Sequence, residues 1–167
     1  MMIRLTRLAL FVLGVGCPVL FAAEPATLKV SVENVPAKTE KVTILLYDDA
    51  NDLNQSQSGK MVSKSRQKWD LQHSYQDVKP TAGAAQFEFK QLKAGEYAAF
   101  VFCDKNGNGR LDNSLLGLPS EHVGMSGTHA NGKMSFPPKE KPSWKTMKFS
   151  VQPGANEIQI KAFKIGF

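Results

Sequence analysis

Cysteine is almost absent: Cys17 and Cys103 are the only two in 167 residues. If Cys17 leaves with a leader, Cys103 stands alone and no intramolecular disulfide can form. Packing or a bound ion must then supply the stability. Long apolar runs are also missing beyond the first two dozen residues, and nothing there approaches the ~18 apolar residues of a membrane span. The mature chain is therefore expected to have no transmembrane segment. Charge of one sign is never concentrated, since the lysines are scattered from Lys29 to Lys164 without a block of like charges. That argues against a nucleic-acid footprint. A Gly-x-Ser-x-Gly elbow is lacking, and Ser126, although near His122 and His129 in sequence, has no spacing that defines a triad. Cys103 ends an apolar strand beside Asp104, where burial and a carboxylate would raise its pKa and leave it inert. The expectation is a protein that is not an enzyme.

What is present begins with a leader. Arg4 and Arg7 precede an uncharged run from Leu8 to Phe21, and Ala22-Ala23 lead into Glu24. A basic start, an apolar core and small residues before a polar start define a secretory signal peptide over residues 1–23. Residues 24–167 are expected to form one domain, exported to the periplasm or the extracellular space. Gly14-Val15-Gly16-Cys17 also offers a minor alternative, a lipid anchor through Cys17, but Gly14 replaces the usual leucine and the apolar run continues past the cysteine. Without Arg4 and Arg7 the 21 basic residues become 19 against 15 acidic ones, and the formal charge falls from +6 to +4.

The hydrophobic pattern is that of strands. Leu28 to Glu33 and Gln86 to Lys90 alternate apolar and polar residues, which buries one face. Val42 to Tyr47 and Tyr97 to Cys103 are apolar on both faces, so something must cover the outer side. The stretch from Leu115 to Trp144, rich in Gly, Pro, Ser and Asn and carrying Met125, Met134, Phe136 and Trp144, is the expected cover. Gly95 predicts a hairpin between the Gln86 and Tyr97 strands, and Gln152-Pro153-Gly154-Ala155-Asn156 predicts a second between the alternating runs Lys148 to Val151 and Glu157 to Lys161. Asp48 to Asp52 reads as a loop, and Leu53 to Lys79 as an irregular or partly helical crossover. The fold class is all-β, an antiparallel β-sandwich of immunoglobulin or transthyretin type with long loops.

Asp104-Lys105-Asn106-Gly107-Asn108-Gly109-Arg110-Leu111-Asp112 places side-chain oxygens at alternate positions around a glycine turn. Calcium loops of the EF-hand type take ligands from positions 1, 3, 5, 7 and 9 with glycine at 6. Asp104, Asn106, Asn108, the Arg110 carbonyl and Asp112 occupy those ligand places, and Gly109 the turn. Leu115 stands where a bidentate glutamate belongs, so the loop is not a sensor EF-hand, and Glu121 is the candidate to fold back as the missing carboxylate. Two or three carboxylates suit weak calcium binding. The competing reading is a metal-free turn, because Asp and Asn also bond backbone amides two residues on. A second constellation, His122, Met125, His129 and Met134, has the imidazole and thioether donors that suit copper, although the same methionines also read as plugs onto the sheet. Trp69, Tyr75, Trp144, Phe163 and Phe167 are aromatic anchors or, if exposed, a platform for a saccharide or a protein partner.

Leu92-Lys93-Ala94-Gly95-Glu96-Tyr97, the Asp104 to Asp112 run, Leu116-Gly117-Leu118-Pro119-Ser120-Glu121 and Val123-Gly124-Met125-Ser126 together resemble the domain-of-unknown-function 2141 family of secreted bacterial proteins. Phe136-Pro137-Pro138 and Phe149-Ser150-Val151 occupy the places of that family's proline-bearing loop and following strand. The resemblance implies a small exported β-sandwich, similar in outline to transthyretin-like domains, and brings no established activity. The glutamine- and lysine-rich middle and the terminal Ala162 to Phe167 depart from the pattern. The function expected is a non-enzymatic binding or accessory module with a calcium-stabilised or hydrogen-bonded loop. The alternative is a periplasmic copper-handling protein.

Overall fold

The computed structural model describes residues 24–57, 74–114, 118–133 and 142–165. The expected leader with Cys17, the anchors Trp69, Phe136 and Phe167, and the ligand candidate Met134 lie outside the described residues. Two sheets pack face to face in an all-β sandwich. The smaller is built on β1 (Ala26–Glu33). Ala26, Leu28, Val30 and Val32 turn inward and are buried, while the residues between them stay partly exposed or exposed. On one side β1 pairs antiparallel with β4 (Ala85–Leu92), whose Phe87 and Phe89 are buried. On the other it pairs in parallel with β8 (Gly154–Lys161), in continuous register from Ala26↔Gly154 to Glu33↔Lys161. The sheet is thus mixed, not purely antiparallel.

The larger sheet runs β3 (Ser74–Val78), β2 (Lys41–Tyr47), β5 (Gly95–Asp104), β6 (His122–Met125) and β9 (Phe163–Lys164), with β7 (Phe149–Val151) paired to the start of β5. Both hairpins expected from the sequence are replaced by sheet crossings. β4 and β5 lie in opposite sheets, so the turn at Lys93 and Ala94 crosses the sandwich; β7 and β8 part in the same way. Asn156 fixes the second crossing, its amide donating to Gln152 O at 2.7 Å and accepting from Gln152 N at 2.9 Å. A turn signal in sequence marks a chain reversal but not which sheet receives the next strand.

β2 and β5 are apolar on both faces, as their sequences require. Val42, Ile44, Leu46, Tyr97, Ala99, Val101 and Cys103 face the smaller sheet and form the central core with Leu28, Val30, Phe87, Phe89 and Ile160. The opposite face carries Leu45, Tyr47, Ala98, Phe102, Val123, Met125 and Phe163. Two short helices cover it. Leu53 comes from α1 (Ala50–Gln57) and Met147 from α2 (Trp144–Met147), both fully buried. Burying one such side chain is worth about 1.5–3 kcal/mol, and so short a helix is not stable alone. Asp49 starts α1 by accepting the N–H of Asn51 at 2.7 Å and of Asp52 at 3.3 Å, so part of the expected Asp48 to Asp52 loop is a capped helix start. β6 is a strand within the expected Leu115 to Trp144 loop. At its centre Gly124 lets the sheets meet, because a Cβ there would sit 2.7 Å from Ile160 Cγ2.

Candidate functional site

β5 delivers Asp104 to the end of the sandwich fully buried, and register places Lys41, the first residue of β2, opposite it. Lys41 Nζ lies 3.8 Å from Asp104 Oδ2 and 3.4 Å from Asp77 Oδ2. Beyond Asp104 the chain turns through Gly107 and Gly109, at φ +73° and +74°, conformations that glycine adopts without strain. The Asp104 carboxylate holds this turn from below. Its Oδ1 accepts the N–H of Gly107 at 2.7 Å and of Asn108 at 3.2 Å, and its Oδ2 accepts that of Gly109 at 2.6 Å. Charge-assisted bonds of this kind are about twice as strong as neutral ones.

Glu121 closes the base. It is buried at the start of β6, and its two oxygens reach both ends of the loop: Oε1 accepts from Lys105 N at 2.8 Å, Oε2 from Asp112 N at 3.2 Å. Burial raises its pKa first; the two N–H donors oppose that rise, and the Asp104 and Asp112 charges add to it. Ser120 ties the loop's exit, donating to Asp112 O through N at 2.8 Å and Oγ at 3.0 Å. On top, the Asn106 amide donates to Asp112 Oδ2 at 2.8 Å, and the Asn108 amide reaches the same carboxylate at 3.1 and 3.2 Å. Asn106 Oδ1 accepts from Asn108 N at 3.1 Å and Asn108 Oδ1 from Arg110 N at 2.8 Å.

The structure therefore brings together Asp104, Asn106, Asn108, Arg110, Asp112 and Glu121. The side-chain oxygens of Asp104, Asn106, Asn108, Asp112 and Glu121 face N–H donors, and among the described residues no group of three or more His, Cys, Asp or Glu is arranged to hold a metal ion. For calcium to enter, Asp112 must exchange its two amide donors for the cation, and the Asn106 and Asn108 oxygens must turn inward. The residue types fit the ion; the arrangement is that of a turn bonded to itself.

The second constellation is divided. Along β6, Val123 and Met125 point to the outer face among Ala98 and Phe102, whereas Gly124 points inward to Ile160 and Val101. His122 shares the side of Gly124, so alternation sets it opposite Met125. His129 is buried in the 3-10 turn Gly127–His129 that follows β6. His122 Nδ1 and His129 Nε2 are buried without hydrogen-bond partners. The His122 pKa is lowered, first by burial and then by the charges of Lys105 and Lys164.

Ser126 and Cys103 are spent on structure. The Ser126 hydroxyl accepts from Ala99 N at 2.8 Å and lies 2.6 Å from Met147 O, joining β5 to α2. The Cys103 thiol is buried, and burial followed by the Glu121 charge pushes its pKa up to about 12. The carboxylate that acts on it is Glu121, not the adjacent Asp104 expected from sequence. Lys41 and Ser120 had no signal in the sequence, because only strand register and the return of the chain after Pro119 bring them to the loop.

A mostly β two-sheet fold with a carboxylate-pinned loop at one end defines a class, the all-β sandwich. Within it, residues 30–159 match the family described as an uncharacterized protein conserved in bacteria (DUF2141), and the chain belongs to that family. No curated protein and no solved structure matches the chain. Among the described residues no helix is long and apolar enough to cross a membrane.

Proposed function

We propose that this chain is an exported, non-enzymatic binding or accessory module that meets a protein or saccharide partner through the loop end carrying residues 104–133. The observation that supports this reading is the use of two buried carboxylates, Asp104 and Glu121, to fix one surface loop. Such fixing leaves Asn106, Asn108 and Arg110 exposed on a stiff platform, and rigid sandwiches present binding residues in this way. Weak calcium binding deepens the reading, favoured by the return of Glu121 to the loop base where position 12 of a calcium loop is missing. Copper handling loses support from the opposed faces of His122 and Met125.

The test is thermal unfolding of metal-stripped protein with and without millimolar calcium, followed by a saccharide array under both conditions. A ligand at a hundred times its dissociation constant stabilises the folded state by about 2.7 kcal/mol. The expected result is a rise in Tm that Asp112→Ala removes. No rise sinks the calcium part, and binding unchanged by Asn108→Ala and Arg110→Ala sinks the loop-end assignment.

A further inference from the structure

Asn-Gly is the dipeptide most exposed to intramolecular deamidation, since glycine carries no Cβ to shield its nitrogen, and asparagine is among the thermolabile residues. The sequence holds Asn106-Gly107, Asn108-Gly109 and Asn131-Gly132. In the reaction the glycine nitrogen gives its proton to water and attacks the asparagine side-chain carbon. Water returns that proton to the side-chain amide nitrogen, its carbon–nitrogen bond breaks, ammonia leaves and a succinimide ring closes. Water then opens either carbonyl to give aspartate or isoaspartate, so water is the only co-reactant.

The attacking nitrogens are held in unlike ways. Gly107 N donates to Asp104 Oδ1 at 2.7 Å and Gly109 N to Asp104 Oδ2 at 2.6 Å, so one buried carboxylate occupies both. Gly132 N donates only to the neutral carbonyl of His129, at 3.1 Å, and the side chain of Asn131, exposed like those of Asn106 and Asn108, is held only through Oδ1, which accepts from Lys133 N at 3.1 Å. A negative charge against an N–H opposes its ionisation as well as occupying it, and a carbonyl does so far less. The side chains of Asn106 and Asn108 are also tethered through their amides to Asp112.

We propose that Asp104 locks Asn106 and Asn108 against deamidation and that Asn131 is the live modification site of the folded protein. The lock protects the loop itself. Converting Asn106 or Asn108 to an acid replaces a donor facing Asp112 with a like charge and so undoes the top of the turn. This inference does not depend on calcium or on any partner.

The experiment is peptide mapping by mass spectrometry of the purified protein held at mildly alkaline pH, folded and in urea, with Asp104→Asn alongside. Folded wild type is expected to convert Asn131 first, with Asn106 and Asn108 roughly ten- to hundredfold slower, the factor set by one charge-assisted hydrogen bond. In urea the rates converge, and Asp104→Asn frees Asn106 and Asn108. Conversion of Asn106 and Asn108 in folded wild type as fast as in urea, or as fast as at Asn131, overturns the lock. If Asp104→Asn does not fold, amide hydrogen exchange of the wild type decides. Greater protection at Gly107 and Gly109 than at Gly132 supports the proposal, and equal exchange overturns it.

Discussion

Asp104 and Asp112 differ by eight positions and by everything around them. Asp104 is fully buried beneath three backbone N–H groups, whereas Asp112 is partly exposed and bonded to two side-chain amides that water can satisfy. Urea unfolding should therefore show Asp104→Ala losing at least about 2 kcal/mol and Asp112→Ala under about 1. Equal losses would mean that the buried carboxylate is not the loop's anchor. His122 makes a second prediction. Its pKa in the folded chain lies below the ordinary 6.5, so the neutral ring is favoured by folding. That stability is present above pH 6.5 and is lost as pH falls through the depressed value, because the folded state then takes up its proton late. Glu121, shifted upward, acts with the opposite sign: its share is lost as pH rises through its raised value. A His122→Gln variant should lose less stability on acidification than wild type when unfolding is followed across that window. Much of the loop was legible at this scale, since alternate oxygens around Gly109 and a distant Glu121 named the residues the structure assembles. Which oxygen meets which N–H was not, because side-chain direction depends on backbone angles that one-letter spacing does not encode.

At the scale of elements, the two-residue period marks β1, β4 and β8, and continuous apolar runs mark β2 and β5, whereas β3 (Ser74–Val78) lies inside the stretch expected to be an irregular or partly helical crossover. Such patterning is silent on pairing partners, and so both crossings read as hairpins. Helix is expected only in part and only from Leu53 onward, because α1 owes its place to the burial of Leu53 on the outer face rather than to a helical repeat, and α2 spans four residues. The turn after β6 shows how tightly these pieces meet. Gly127 has φ +68°, and a Cβ there would come within 2.2 Å of Thr146 O in α2. Gly127→Ala should cost more than about 1–3 kcal/mol, the range for a left-handed non-glycine residue alone, because backbone must also move. Near-normal stability in a denaturant titration would show that the turn and α2 are not in register as described.

At the scale of the whole molecule, Cys103 reports on integrity. Its thiol lies within the central core with a pKa near 12, so it is neither reachable nor ionised at neutral pH. Alkylation followed by mass spectrometry should label it only as fast as the sandwich opens, with the rate rising in step with urea-induced unfolding. Rapid labelling of native protein would place an opening motion at the loop end of β5. The parallel pairing of β1 with β8 acts at the same scale. Its two strands lie far apart in sequence, Ala26 meeting Gly154 and Glu33 meeting Lys161, so this pairing is strongly non-local and slow to form. The smaller sheet is thus sealed by a long-range contact, and a chain in which β8 has not docked presents β1 as a bare edge open to pairing with another copy.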